Sequence, residues 1–392
     1  MQIHRLGENE NIYTVASDYS VSPFKLAVVN EVEMNGRLGV GKELYIPTPT
    51  RTYTVRRGDE VERIARRFGI TESELYSLNP ELYGRRRLYN GQLLTVKSDS
   101  AGFGMASTNG YYYRGCPESR VELFLPFMNY ITVCSARCEG ERIVWLFDDG
   151  EILKRARESH KFPLLRVYVS SPPCEEQRDA FFAGLSLIAK NKGYCGVTLA
   201  NLSTLKNGAA KFVTDASKKM KELGLTLIAE CELNGDTSYA DCADGCVLTH
   251  EKLHECPIPD FESREKKFMT DFSENHDSYK AAVDLSAFAY TDGKYVDKNE
   301  AIKGADRQRR EYIHDDVTKT ASAKRSGKSD IILENLENIK AKLTLLGELG
   351  YMGISYDIAR TPLNEIIMFS EMFKPIERGV YYDEPRRCPG VD

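Results

Sequence analysis

Apolar positions in the first hundred residues recur as a repeat. Shifting the chain by 49 residues lays Leu6 on Val55, Ile12 on Val61, Val15-Ala16 on Ile64-Ala65, Leu26 on Leu75 and Asn30 on Asn79. After one inserted residue, Leu38, Gly41, Leu44 and Ile46 fall on Leu88, Gly91, Leu94 and Val96. Such self-similarity means one small unit built twice. In the second copy the spacing predicts a strand over 52–55, a turn at Gly58-Asp59, helices over 60–68 and 72–78, and a closing strand over 93–96. Two βααβ modules are therefore expected, at 1–48 and 51–97.

Beyond residue 110 the pattern changes. Apolar runs at 122–127, 164–169, 196–199, 226–229, 245–249, 282–285 and 353–356 read as strands, with amphipathic helices at 180–191, 209–223 and 333–349 between them. This alternation predicts an α/β fold, a (β/α)8 TIM-like barrel over 109–375. An open doubly wound sheet is the competitor, but no glycine-rich phosphate loop follows the first strand. Residues 98–108 are small, polar and Gly-containing and are expected to form a linker. The basic stretch 303–328 reads as a solvated insertion, with contact to an anionic polymer as a lesser alternative. The tail 376–392 reads as an extended arm.

Composition narrows the partners. A length of 392 residues accommodates two or three folded units, and a net charge of -5 gives no general attraction for nucleic acid or anionic membrane. No apolar run approaches the roughly 20 residues that span a bilayer, and the amino terminus lacks a signal-peptide pattern, so Sec export is not expected. The ten cysteines all follow residue 100, and Cys195, Cys231 and Cys246 read as buried thiols. Cys242, Cys246, His250, His254 and Cys256 could supply zinc ligands, but their spacing suits neither a ribbon nor a finger. No metal and no cofactor is expected.

The second copy, Tyr53-Thr54-Val55-Arg56-Arg57-Gly58-Asp59 followed by Ile64-Ala65, Leu75, Asn79 and Asn90-Gly91-Gln92-Leu93, resembles the LysM family. The resemblance implies binding of an N-acetylglucosamine polymer between the loop opening the first helix and the loop leaving the second. By position it puts Gly58, Asp59, Glu60, Asn79 and Pro80 near the sugar, and Asn9, Glu10, Asn11 and Asn30 in the first copy. Asp59 could equally cap the helix that follows it. Asn9 and Glu10 replace the Gly-Asp pair, which predicts a differently shaped turn and weaker affinity in that copy. Two modules in tandem are expected to raise retention on a repeating polymer by effective concentration.

Further on, Leu125-Pro126-Phe127, Gly193-Tyr194-Cys195-Gly196-Val197, Gly224-Leu225-Thr226-Leu227 and Leu349-Gly350-Tyr351-Met352-Gly353-Ile354-Ser355-Tyr356 resemble family-18 glycoside hydrolases. The arrangement of modules before barrel is similar to spore-associated N-acetylglucosaminidases. That likeness implies peptidoglycan as partner, spore coat proteins as neighbours, and deposition on a spore surface or cortex from the cytoplasm in which the chain is made.

Active members of that family end the fourth strand with aspartates and a glutamate that protonates the glycosidic oxygen. Here Cys195, Thr198 and Ala200 stand at the aspartates and Leu202 at the acid. None can serve as a general acid near neutral pH, so hydrolysis by the family mechanism is not expected. Carboxylates at other strand ends, Glu230, Glu232, Glu251 and Asp357, keep open a hydrolase with relocated acid and base. With Trp145 the only tryptophan, a sugar platform in the barrel would use Tyr113, Tyr130, Tyr168 or Tyr356.

Overall fold

The computed structural model describes residues 2–83, 88–98, 102–232, 235–249, 265–285 and 288–375. His250, Glu251, His254, Cys256 and the 376–392 arm lie outside the described residues. Eight parallel strands form a closed barrel: β1 Met105–Tyr112, β2 Tyr130–Glu139, β3 Phe162–Ser171, β4 Gly196–Ala200, β5 Thr226–Glu232, β6 Gly245–Thr249, β7 Ala281–Asp284 and β8 Gly353–Asp357. Pairing of β1 with both β8 and β2 completes the ring. Helices covering it include α1 Glu118–Phe124, α2 Gly150–Glu158, α3 Arg178–Lys192 and α4 Ala209–Glu222.

Alternation along each strand divides its side chains between two cores. Val197 and Leu199 face the helices, whereas Leu164, Ile228, Val247 and Ala282 meet as an apolar layer inside the barrel. Two residues further along β3 and β5, Arg166 and Glu230 must also point inward. That register positions the chemistry described below.

Three expectations about this region need correction. Residues 122–127 are the end of α1 and a short 3-10 turn, Leu125–Phe127, because an unbroken apolar run has no period to separate strand from helix. The first strand lies instead at Met105–Tyr112, partly inside the expected linker. Its residues are small because neighbours press on it: a Cβ on Gly353 would overlap the Ser107 carbonyl, and one on Gly110 the Met128 sulfur. Finally, the basic stretch is part of a folded insertion. Strands Phe288–Thr291, Lys294–Asp297, Glu311–Asp315, Thr320–Lys324 and Ile331–Glu334 make an antiparallel sheet with the helix Lys298–Arg307. Its core uses Ala289, Ala305, Ala321 and Ala323, so the inward face is apolar without looking hydrophobic in the sequence.

Each expected module has its own antiparallel strand pair, Gln2–Arg5 with Glu43–Ile46 and Pro49–Thr54 with Leu93–Ser98. Each also has its own small apolar core. The modules are docked in series. Lys25 of the first donates to Leu78 O (2.7 Å) and Thr95 Oγ1 (2.5 Å) of the second. Glu31 of the first accepts from Arg120 and from Leu363 N (2.7 Å) of the barrel. Lys42 pairs with Asp306 of the insertion at 2.5 Å, and Tyr312 N donates to Val40 O at 2.8 Å. Of the cysteines read as buried thiols, Cys231 and Cys246 are free and buried, but Cys195 is disulfide-bonded.

Candidate functional site

The turn that opens each module is built by one carboxylate. Asp59 Oδ2 accepts from Arg56 N (2.7 Å) and Tyr53 OH (2.7 Å). Forty-nine residues earlier, Glu10 Oε2 accepts from Gly7 N (2.6 Å) and lies 2.8 Å from His4 Nε2. The backbone amide of Arg56, then the Tyr53 hydroxyl, holds Asp59 below its ordinary pKa; the Gly7 amide and then His4 do the same for Glu10. Asn9 takes φ 67° where Gly58 takes 87°. Asparagine is among the few residues that tolerate this left-handed region, so the first turn keeps the shape of the second, contrary to expectation. Asp59 is not a cap: the helix starts from Glu60, whose side chain makes no capping bond. Asn11 does cap its helix, accepting from Tyr13 N and Thr14 N.

Asn30 and Asn79 have a different task from the one their motif position implied. Asn79 donates to Leu75 O (2.8 Å) and Thr95 O (2.7 Å) and accepts from Thr95 N (2.7 Å). Asn30 repeats the pattern with Leu26 O (2.9 Å), Tyr45 O (2.9 Å) and Tyr45 N (2.8 Å). Both are buried, and each ties the second helix of its module to the closing strand. Pro80 is buried as well, beside the helix Pro23–Val29 of the first module. These three residues are therefore withdrawn as sugar contacts. Asn79→Ala is expected to cost about 2–3 kcal/mol, because it strands buried amide and carbonyl groups. A thermal melt should register the loss, with the exposed turn keeping its shape.

What stays open is the other side of the second module. Gly58 and Glu60 are exposed, and Gly91 N donates to Val55 O (2.8 Å), which brings the 88–92 turn alongside them. That turn presents Tyr89, 61% exposed, a flat apolar face beside backbone polar groups. Sequence reasoning missed Tyr89, although an aromatic among polar loop residues is a usable signal. In the first module the matching bond, Gly41 N to Leu6 O (2.7 Å), is kept. There, however, a Cβ on Gly39 would overlap the Arg310 carbonyl of the insertion. The corner that is open in one copy is covered in the other.

Inside the barrel, β4 brings no acid. Thr198 and Ala200 are buried on it, and Leu202, which the family resemblance puts in the proton donor's place, is wholly buried. Cys195 immediately precedes the strand. One of the other candidate carboxylates is already engaged: Arg166 Nε and Nη2 donate to the two oxygens of Glu230, both at 2.7 Å, and Tyr111 OH donates to Oε1 at 2.9 Å. Arg166 is driven down by burial but more than restored by Glu230, so it stays protonated. Such a two-pronged bond to a permanent cation occupies both carboxylate oxygens. Glu232 accepts from Ser203 Oγ at 3.1 Å. Asp357 accepts from Ala359 N (2.8 Å) and pairs with Arg360 (3.3 Å), while burial pushes its pKa up.

Among the aromatic candidates, Tyr356 is fully buried against Phe124, with ring centroids 5.6 Å apart. Tyr130 begins β2 and so lies at the N-terminal face, away from the strand ends where barrels of this kind do chemistry.

The LysM domain family matches residues 53–97. This segment is a LysM domain. No curated protein matches the chain. Solved structures share its fold: the spore cortex-lytic enzyme SleL of Bacillus megaterium QM B1551 is 15% identical with a TM-score of 0.71, over 96% of this chain and 99% of that one. SleL of Bacillus cereus is 17% identical with a TM-score of 0.72, over 96% and 100%. A chitinase from Chromobacterium violaceum ATCC 12472 is 13% identical with a TM-score of 0.60, over 68% and 98%. At such identities the likeness is one of fold, and function has to be argued from the sites. The chain thus joins a LysM domain to a barrel with the fold of these structures.

Proposed function

We propose that the chain is a non-catalytic protein that holds N-acetylglucosamine-containing wall polymer through its LysM domain. Peptidoglycan of the spore cortex or coat is the polymer that the fold relatives suggest. The non-catalytic part is supported by leucine at the place that the family resemblance gives to the proton donor, and by the pairing of one alternative acid, Glu230, with Arg166. On the binding side, Gly58, Glu60 and Tyr89 form the open corner. The first module serves mainly to fix the LysM domain to the barrel, so retention rests on one exposed corner and not on tandem avidity. Manufacture in the cytoplasm and deposition on a forming spore, among coat proteins, complete the proposal.

A second reading, a hydrolase with Asp357 as acid, draws on the raised pKa that burial gives this residue. Incubation with purified peptidoglycan separates the two. The expected outcome is pelleting with the polymer and no release of reducing ends, with Tyr89→Ala weakening retention about tenfold, as loss of a stacking face does. Release of reducing ends that Asp357→Asn abolishes would establish the hydrolase instead.

A further inference from the structure

A groove of about 1040 Å3 runs between the LysM domain and the N-terminal face of the barrel. It is neither the open corner at Tyr89 nor the cleft at the barrel's C-terminal strand ends. Its size exceeds that of ordinary small-molecule pockets and suits an extended ligand. On one side stand Ser73 and Ser77 of the helix Glu72–Leu78. The other side carries Tyr130 and Phe162, the first residues of β2 and β3, with ring centroids 5.6 Å apart. Between α2 and β3, His160 and Lys161 complete that wall.

His160 and Lys161 give this wall its charge. His160 has φ 54°, in the left-handed region. It occupies the turn after α2, where Lys161 N donates to Ala156 O (2.8 Å). The helices ending at Lys192, Glu222 and Glu348 close with the same bond, from Tyr194 N, Leu225 N and Tyr351 N, but they turn on Gly193, Gly224 and Gly350. Ser20, Glu31 and Arg309 take the same left-handed place before Val21, Val32 and Arg310, so the conformation is a recurrent helix end in this chain and what His160 adds is its side chain on the groove wall. Lys161 is the distinctive residue. Among the described residues no acid lies within ion-pair distance of its ammonium, and burial pushes its pKa down to about 8. Acids on the groove wall are committed elsewhere, Glu74 to Thr71 N (2.7 Å) and Glu371 to Ser98 Oγ (3.4 Å). A largely desolvated cation with no counter-charge among the described residues, next to flat apolar rings, is complementary to a ligand that brings both a ring face and a carboxylate.

We propose that this groove is a second glycan site, which takes an aminosugar strand bearing carboxylates, with the carboxylate on Lys161 and His160 and a sugar face on Tyr130 and Phe162. The proposal builds on the wall-polymer reading and names the chemistry it selects. Titration calorimetry on the full chain tests it, with chitotetraose as the neutral probe and a tetrasaccharide of alternating N-acetylglucosamine and N-acetylmuramic acid as the acidic one. The acidic probe is expected to bind about tenfold tighter, a preference that Lys161→Met removes and Lys161→Arg largely keeps. Affinity for chitotetraose should be unchanged in Lys161→Met, whose melting temperature should equal or exceed that of the wild type if the lysine is held there for binding. His160→Gly should raise the melting temperature and weaken the acidic probe alone. Equal affinity of Lys161→Met and wild type for the acidic probe, or no preference for that probe at all, overturns the groove site. Failure of the wall-polymer reading shows separately, as indifference of chitotetraose binding to Tyr89→Ala.

Discussion

Arg166→Met is expected to destabilise the barrel by about 3–5 kcal/mol, among the largest losses that one substitution in this chain should cause. Arg166 and Glu230 are 5% and 1% exposed, and their two-pronged bond sits just above the apolar layer of Leu164, Ile228, Val247 and Ala282. Taking two charges out of water is costly, and only their mutual bonds, with Tyr111 as a third partner, offset that cost. Removing the cation leaves a buried carboxylate with one neutral donor. The double variant Arg166→Met with Glu230→Leu should recover most of the loss, because it removes the orphan charge and fills the same space. Urea unfolding of the three proteins measures this. A single variant within about 1 kcal/mol of wild type would mean that Glu230 finds another partner or water, and would return it to the pool of candidate acids.

Gly39→Ala is expected to undock the first module. A Cβ at this position would overlap a backbone carbonyl, that of Arg310, which cannot rotate aside as a side chain could. Gly41, two residues on, faces the Tyr312 carbonyl in the same way, so the contact is an array of backbone against backbone. The pairing of Tyr312 N with Val40 O and the Lys42–Asp306 ion pair depend on that approach. We expect a loss of about 2–3 kcal/mol, in the upper range for overpacking, and a second, lower transition in the thermal melt as the module separates from the insertion. The module has its own core around Ile12, Val15, Leu26 and Leu44, so it should stay folded and become susceptible to proteolysis only at its connections. A single unshifted transition would show that the insertion strand yields. Because the Gly39 corner corresponds to the Tyr89 corner of the LysM domain, an undocked first module should also gain exposed loop surface.

Much of this architecture is legible in the chain. The 49-residue repeat marks both modules because each core residue recurs at a fixed offset. The matching turn bonds of Glu10 and Asp59 were not legible, because Asn9-Glu10 differs in residue type from Gly58-Asp59 and only the fold shows that both carboxylates accept from the same place. β3 to β8 show because strands buried on both faces are nearly continuous apolar runs between helical stretches. β1 did not show, since close packing selects Ser107, Gly110 and other small residues that resemble a linker. The insertion was hidden for a related reason, its inward face being mostly alanine.

The sequence by itself determined that β4 carries no acid, since no folding can put a proton on Leu202 or Ala200. It also determined that residues 53–97 repeat an earlier unit, because periodic burial leaves periodic residues. Only the tertiary structure decided that Asn30 and Asn79 bind their own modules, that Arg166 pairs with Glu230, and that one of two like corners is covered. Each of those depends on which groups meet across folded elements, such as Gly39 with Arg310 or Lys25 with Thr95, and electrostatic and steric contact act through space with no regard to order along the chain.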